Sequence, residues 1–168
     1  QLVPVGRGRA VGRAALDLSA NERLIRFIAQ AQRTTRAIME PVAGPQYWPF
    51  LLQRAGIRTG PLLSLAETVF HGCSAGRGFV YIKPNGEVWP CPFIEVSCGN
   101  LRQSTFQEVW ANSPVFDELR TREAKLEGRC EECEYRRLCG GCRGRAWAIT
   151  GDYMAEDPSC FIHTATER

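Results

Sequence analysis

The sequence predicts an α+β fold in which a small region is held together by metal-binding cysteine loops. Three observations lead to this prediction. Apolar residues recur at helical spacing early in the chain, an Asn-Gly pair separates two strand-like segments near its middle, and all eight cysteines fall within residues 73–160. The 168 residues are 44% hydrophobic and 23% charged, which is typical of a globular protein and excludes wholesale disorder.

The first part of the chain is predicted to form a strand, a helix and a second strand. Residues 1–5 are a short apolar run typical of a buried strand. Ser19 and Glu22 fit a capping box that opens a helix over residues 20–36. Residues 37–42 are a second candidate strand, so the pattern indicates one α/β unit.

A β-hairpin is predicted near the middle of the chain. Segments 78–82 and 87–89 flank a turn that contains the Asn-Gly pair, a strong hairpin signal. Cys73 lies before the first of these strands and Cys91 just after the second. The hairpin therefore brings two cysteines to one end of its ladder.

Four further helices are predicted from apolar spacing and end signals. One covers residues 47–54, and Ser104 with Gln107 fits a capping box that opens the next. A Ser-Pro pair begins a helix over residues 113–124. The last covers residues 144–150 and is followed by a glycine, the usual residue just past a helix C-terminus.

The most specific motif is a group of four thiols within thirteen residues, Cys130-x2-Cys133-x5-Cys139-x2-Cys142. Two CxxC pairs this close favour metal binding over disulfides or unrelated thiols. Zn²⁺ and iron–sulfur clusters both take thiolates. Eight cysteines would make two all-thiolate zinc sites or hold two [4Fe–4S] clusters, so spacing alone leaves the metal open.

The wider pattern resembles the seven-cysteine signature of the SPASM domain, the C-terminal extension of many radical S-adenosylmethionine enzymes. Cys73, Gly86 and Cys91 stand at the signature spacing, with twelve and then four residues between them. The clustered cysteines and a final Cys160 follow. One departure is that only two glycines separate the third and fourth clustered cysteines, where the family often has three residues.

The string CGGCRGRA at residues 139–146 limits the resemblance to part of the family. It is similar to the branch that includes the heme d1 and alternative heme biosynthesis enzymes, and peptide-modifying maturases share parts of it. The resemblance implies that residues 72–168 are a SPASM auxiliary iron–sulfur domain. Residues 1–71 would be the C-terminal piece of the radical SAM (β/α) barrel plus a connector.

The resemblance also implies two auxiliary [4Fe–4S] clusters with interleaved ligands. The first cluster would be bound by Cys73, Cys91 and Cys142. The second would be bound by Cys130, Cys133, Cys139 and Cys160. Cys98 is the candidate fourth ligand of the first cluster. The alternatives are that an iron is left open to substrate and that Cys98 is a partly buried free thiol.

Arginines near the predicted strand end and near the cysteines are candidate functional residues. In the family the strand end before Arg7 and Arg9 faces the barrel mouth, which implies contact with a carboxylate of cofactor or substrate; a solvated loop is the alternative. Four more arginines surround the second cysteine cluster: Arg136, Arg137, Arg143 and Arg145. Cations there would stabilise a reduced, more negative cluster, whereas the alternative is surface pairing with nearby glutamates.

The chain contains no CxxxCxxC motif, so alone it should not cleave S-adenosylmethionine. We expect it to be the C-terminal part of a longer radical SAM enzyme, whose core would bind S-adenosylmethionine and a third [4Fe–4S] cluster. The implied function is an auxiliary cluster-binding domain of an oxidoreductase or maturase. It would serve electron transfer and substrate placement in tetrapyrrole or peptide modification. The alternative is a zinc-stabilised, non-catalytic interaction module.

The expected partners follow from this interpretation. They are the radical SAM core, a tetrapyrrole or peptide substrate, and an electron donor such as ferredoxin or flavodoxin. The net charge of +3 is too small to indicate nucleic acid, and no apolar run approaches the length of a membrane span. Clustered thiols that need metal indicate the reducing cytoplasm.

Overall fold

The computed structural model describes residues 3–162, which form short helices around one small sheet. The α-helices are α1 (Leu18–Ala31), α2 (Tyr47–Arg54), α3 (Pro61–Val69), α4 (Phe106–Asn112), α5 (Pro114–Arg120), α6 (Arg129–Glu132) and α7 (Arg143–Thr150). Two 3-10 helices cover Gly6–Ala14 and Arg122–Ala124. The strands are β1 (Tyr81–Ile82), β2 (Glu87–Trp89) and β3 (Gly99–Asn100). The mixed α+β class is confirmed.

Helix α1 begins earlier than its sequence pattern predicted. Asp17 is the N-cap, and its carboxylate accepts a hydrogen bond from the Ala20 amide at 2.7 Å. The predicted cap, Ser19, instead donates its hydroxyl hydrogen to Asp17 at 2.8 Å. The helix ends at Ala31 rather than residue 36. Helix α2, by contrast, has the predicted bounds.

The two strands predicted on either side of α1 are wrong for the described residues. Gln1 and Leu2 lie outside those residues, residues 3–5 form no strand, and a 3-10 helix follows them. Residues 37–42 also form no ladder. A strand needs a hydrogen-bonded neighbour, and the sheet of the described chain is built within residues 81–100. The assignment of residues 1–71 to a barrel stays a prediction.

The predicted hairpin is confirmed and has a third strand. β1 pairs antiparallel with β2, with Tyr81 opposite Trp89, and β2 pairs antiparallel with β3. Gly86 closes the turn at φ +87°, and its amide donates to the Lys83 carbonyl at 2.8 Å. A residue with a side chain would be strained there. β3 is a strand that the sequence analysis did not predict.

The later helices follow their end signals with small shifts. α4 is opened by a capping box of Thr105 and Glu108, one residue beyond the predicted Ser104 and Gln107. α5 ends at Arg120, before the predicted end at residue 124. α7 ends at a left-handed Gly151, as predicted.

The main hydrophobic core joins the first part of the chain to the cysteine-rich part. Ile25, Phe50 and Leu63 from α1–α3 pack in one buried cluster with Tyr135 and Leu138. The Tyr135 hydroxyl also donates to the carbonyl of residue 57 at 2.7 Å. Segments on both sides of residue 71 therefore share one core, and the domain boundary at residues 71–72 stays a prediction.

Within residues 3–162, we find no helix with both the length and the apolar character needed to span a membrane.

Candidate metal centres

Seven of the eight cysteines line two separate cavities. The first site is defined by Cys73, Cys91 and Cys142, which line a cavity of about 420 Å³. The second site is defined by Cys130, Cys133, Cys139 and Cys160, which line a much smaller cavity of about 20 Å³. The two groups have the same members as the two ligand sets that the resemblance implied. Residues far apart in sequence are thus brought together by the fold.

The first site is assembled from three separate segments. Cys73 precedes the hairpin, Cys91 follows β2, and Cys142 is the N-cap residue of α7. Gly72 ties these segments to the second site, because its amide donates to the Leu138 carbonyl at 2.8 Å. A Cβ at Gly72 would lie 2.5 Å from the Cys139 carbonyl oxygen, so only glycine allows this approach.

The second site depends on a sharp turn between Cys139 and Cys142. Gly140 and Gly141 both have left-handed φ values, +62° and +61°. Two such residues in succession require glycine. The Gly141 amide points to the Cys139 sulfur at 3.4 Å. The shortened spacing noted in the sequence is therefore accommodated by two glycines that let the chain reverse between the two sites.

Burial favours the protonated thiol at five of the seven cysteines that line the two cavities. It raises the pKa of Cys91 and Cys133 to about 11, and that of Cys142 and Cys160 to about 12. Burial also raises the pKa of Cys139, and neighbouring thiols of the second site add to the shift. Thiolates in such surroundings need a cation to compensate their charge. Metal binding would therefore have to displace protons from these groups.

The donor set fits an iron–sulfur cluster. Every side chain of the second site that offers a metal ligand is a thiol, and thiolates are the usual ligands of such clusters. Within residues 3–162, no three His, Cys, Asp or Glu side chains lie close enough to hold a single metal ion. A [4Fe–4S] cluster does not need so tight a group, because each of its irons takes one thiolate.

Two of the four predicted arginines are buried beside the cysteines. Arg143 donates to the Tyr153 and Ala155 carbonyls at 3.0 and 2.6 Å, and its remaining terminal nitrogen lies 3.8 Å from the Cys130 sulfur. Arg145 pairs with the fully buried Asp157 at 3.4 Å. The other two, Arg136 and Arg137, are exposed. Two members of the set thus lie inside the protein, and two lie on its surface.

Sequence reasoning missed two buried charged residues. Asp157 accepts hydrogen bonds from the Cys142 amide at 2.8 Å and from the Gln46 side chain at 2.6 Å, so it fixes one cysteine of the first site. Arg122 is 1% exposed and donates to the Cys73 carbonyl at 2.7 Å. Its local sequence, Leu-Arg-Thr-Arg-Glu, has the appearance of an exposed helix end, so no local signal marks it.

Cys98 lies apart from both sites. It packs in a second hydrophobic cluster with Val88, Val109 and Phe116, and it lines neither cysteine cavity. Its amide donates to the Val88 carbonyl at 2.7 Å, which extends the pairing of β2 and β3. Burial raises the pKa of its thiol to about 11. The structure therefore does not bring Cys98 to the three cysteines of the first site.

The cavity of the first site has an apolar wall opposite the thiols. The wall includes Trp48, Phe79 and Phe93 and the loop over residues 40–45. Arg7 and Arg9 do not line this cavity. Arg7 is exposed, and Arg9 pairs with Glu95 at 2.9 Å. Their contact with a cofactor or substrate carboxylate stays a prediction.

Comparison with known families identifies the cysteine region. Residues 73–134 match SPASM, an iron–sulfur cluster-binding domain. This region of the chain is similar to the SPASM domain family. The matched range contains five of the eight cysteines, and the remaining three, Cys139, Cys142 and Cys160, lie beyond it. The resemblance seen in the sequence is confirmed.

Curated relatives of the chain are named as heme-related synthases and as peptide cyclases. An AdoMet-dependent heme synthase from Nitratidesulfovibrio vulgaris is 35% identical over 162 residues, covering 95% of this chain and 44% of the relative. A pre-heme d1 synthase from Dinoroseobacter shibae is 39% identical, covering 56% of this chain and 24% of the relative. A PqqA peptide cyclase from Granulibacter bethesdensis is 33% identical, covering 55% and 26%. The chain thus spans less than half the length of these relatives.

Proposed function

We propose that this chain holds two [4Fe–4S] clusters as the auxiliary part of a radical SAM enzyme. The observation that carries the proposal is the gathering of seven distant cysteines around two cavities. The second site would supply four thiolates from Cys130, Cys133, Cys139 and Cys160. The first site would supply three, from Cys73, Cys91 and Cys142. Cys98 would stay a buried free thiol.

When bound, such clusters supply one-electron transfer and an iron that accepts an external ligand. The residues of the chain perform the remaining tasks. Asp157 accepts a hydrogen bond from the Cys142 amide and so fixes the backbone of this cysteine. The Gly72 amide donates to the Leu138 carbonyl and so holds the hairpin segment against the second site. Trp48, Phe79 and Phe93 give the cavity beside the first site an apolar wall. This arrangement supports a substrate position next to three thiolates.

We infer that the substrate class is a tetrapyrrole. The relatives named heme synthase align with 95% of this chain, whereas the peptide cyclase aligns with 55%. A flat, largely apolar macrocycle suits a cavity walled by aromatic side chains. If the substrate were a peptide, the protein would bind a peptide in preference to a porphyrin.

We further propose that the chain works with a radical SAM core that supplies S-adenosylmethionine and a third cluster, and that residues 1–71 form the C-terminal piece of its barrel plus a connector. The chain spans 44% of its heme synthase relative, which leaves room for such a core. Helix α3 supports this contact, because Leu62, Leu65 and Val69 are each more than 60% exposed on one of its faces. A ferredoxin or flavodoxin would be the electron donor. Clustered thiols of this kind require the reducing cytoplasm.

The deciding experiment measures iron, sulfide and zinc per chain after anaerobic purification and reconstitution. Two clusters predict about eight iron and eight sulfide per chain. A value near four would restrict the proposal to one site. Zinc without sulfide would overturn it in favour of a zinc-stabilised interaction module.

A second experiment tests substrate placement at the first site. The reconstituted protein is titrated with protoporphyrin IX and with an unrelated apolar peptide, and absorbance and EPR spectra are recorded. Val42→Asp places a charge in the cavity lining, and we expect it to weaken porphyrin binding at least tenfold at unchanged iron content. Ile38→Asp is the matched control, because residue 38 is 91% exposed on the same loop and outside the lining. Binding of the peptide instead of the porphyrin would contradict the tetrapyrrole assignment.

A further inference from the structure

Arg122 occupies the junction between the two cysteine sites. Its side chain reaches the backbone of the first site, donating to the Cys73 carbonyl at 2.7 Å. The same guanidinium lies against the turn between Cys139 of the second site and Cys142 of the first. A Cβ built at Gly140 would be 2.7 Å from the Arg122 Nε and 3.0 Å from its Nη2. One buried cation therefore touches both loops.

The charge of Arg122 is incompletely compensated by the protein. Its Nε is buried and has no hydrogen-bond partner among the described residues. The nearby acid, Glu123, is already paired with Arg77 at 2.7 Å. Burial lowers the pKa of Arg122. A buried cation of this kind is costly unless negative charge lies close to it.

Each cysteine site therefore has at least one buried guanidinium beside it. Arg122 accompanies Cys73 of the first site, and Arg143 lies 3.8 Å from the Cys130 sulfur of the second. These two arginines are close enough to repel each other. Such an arrangement is favourable only if anionic groups occupy both sites, and the first site holds a cavity on the side of Cys73.

We propose that Arg122 is a positioning residue that raises the reduction potential of the first cluster relative to a site without it. This inference rests on the proposed function, because it requires a cluster at the first site. Reduction adds one electron to the site from an external reductant, and no covalent bond of the chain changes. A cluster with three thiolates then goes from a net charge of −1 to −2, and the nearby guanidinium stabilises the more negative state.

The test is an EPR-monitored redox titration of the complete, reconstituted chain with dithionite and mediators. Arg122→Gln removes the charge, and we expect the reduction equilibrium of the first cluster to fall about tenfold, which is 59 mV for one electron. Arg122→Lys keeps the charge but not the planar donor, and we expect a fall of about threefold. The potential of the second cluster should change less in both variants, because Arg122 donates to the carbonyl of Cys73, a ligand of the first site.

Three controls make the result specific. Arg102→Gln removes a charge from an exposed residue outside both cavities and should move neither potential. Cys91→Ser and Cys133→Ser assign each EPR signal to its site. Iron and sulfide are measured for every protein. Wild-type chain without iron would defeat the proposed function, whereas a loaded chain whose first potential is unmoved by Arg122→Gln would defeat this inference alone.

If Arg122→Gln fails to fold, the two lysine variants still test the inference. Arg122→Lys should lower the potential of the first cluster, and Arg143→Lys should lower that of the second. The inference is overturned if neither lysine variant moves a potential, or if both move the same one.

Discussion

The two cysteine sites use the same side chain in opposite surroundings. The second site has four thiols around a cavity of about 20 Å³, and Cys139 belongs to the main hydrophobic core. The first site has three thiols at the edge of a cavity of about 420 Å³. A closed site with a full ligand set favours structural support and electron storage. An open site with a missing thiol favours contact with a substrate.

The residues that surround the two sites differ in the same way. Tyr135 and Leu138 pack beside the second site and also against α1–α3, so the loss of this site would disturb the whole chain. The first site is bordered by the loop over residues 40–45 and by aromatic side chains such as Phe93. Its loss would disturb a local surface. Under the proposed function, stability and substrate access would depend on different sites.

Serine substitutions at the two sites should separate them most strongly. Cys139→Ser is expected to remove about half of the iron and to lower the free energy of unfolding by more than about 4 kcal/mol, because a buried metal ligand in the core is lost. Cys91→Ser should remove the same amount of iron but cost only about 2 kcal/mol. Anaerobic denaturant unfolding and iron analysis provide the measurements. Equal losses of stability would contradict the division of roles.

Gly140→Ala should be the next largest effect. A Cβ there meets Arg122 at 2.7 Å in a left-handed backbone, so we expect a loss of about 3 kcal/mol. Gly151→Ala has the same kind of backbone with open space around it and should lose about 1 kcal/mol. Gly78→Ala, with open space and no left-handed φ, should change little. Thermal unfolding ranks the three variants, and similar melting temperatures for Gly140→Ala and Gly151→Ala would show that the contact with Arg122 is unimportant.

Cys98→Ala tests whether the first site really has three thiols. The side chain packs between Val88 and Phe116, so its truncation should lower the free energy of unfolding by about 1 kcal/mol. The iron content should stay at the wild-type value. A loss of half of the iron would identify Cys98 as a ligand and remove the difference between the sites.

The smallest effect is the reactivity of Cys98 in the loaded chain. Because burial raises its pKa from an ordinary value of 9.0 to about 11, the thiol is almost entirely neutral at pH 8. Alkylation by iodoacetamide should be slow there and rise about tenfold per pH unit toward pH 11. The stability that this neutral thiol contributes is complete below pH 9 and is lost as the pH rises through 11. Mass spectrometry locates the label; rapid labelling of Cys98 at pH 8 would contradict its burial.

Local signals explain which elements could be predicted from sequence. The Asn-Gly turn and the glycine after α7 fix backbone conformations within a few residues, and both were located correctly. Caps are less certain, because Asp17 and Ser19 can each accept a hydrogen bond from a helix start. The observed choice of Asp17 depends on where α1 packs. Competition between adjacent capping residues cannot be resolved from local sequence.

The wrong strand at the start of the chain has a physical cause. Val3 and Val5 are buried as an apolar strand would be, but they pack against Cys142 rather than pairing with a neighbouring strand. Burial and strand pairing give the same sequence pattern. Arg122 was missed for a related reason, since its partners are distant in sequence. The two groups of cysteines came from family resemblance, because spacing alone could not say which loops meet.

The interleaving of the two sites has a consequence for synthesis on the ribosome. Cys73 and Cys91 emerge first, but their site is not complete until Cys142 has been added. At about 5–20 residues per second, Cys73 waits roughly 3 to 14 seconds for this partner. Until then the nascent chain carries free thiols that must be kept reduced. Under the proposed function, a cluster could enter the first site only after Cys142 has been made, and the second site only after Cys160.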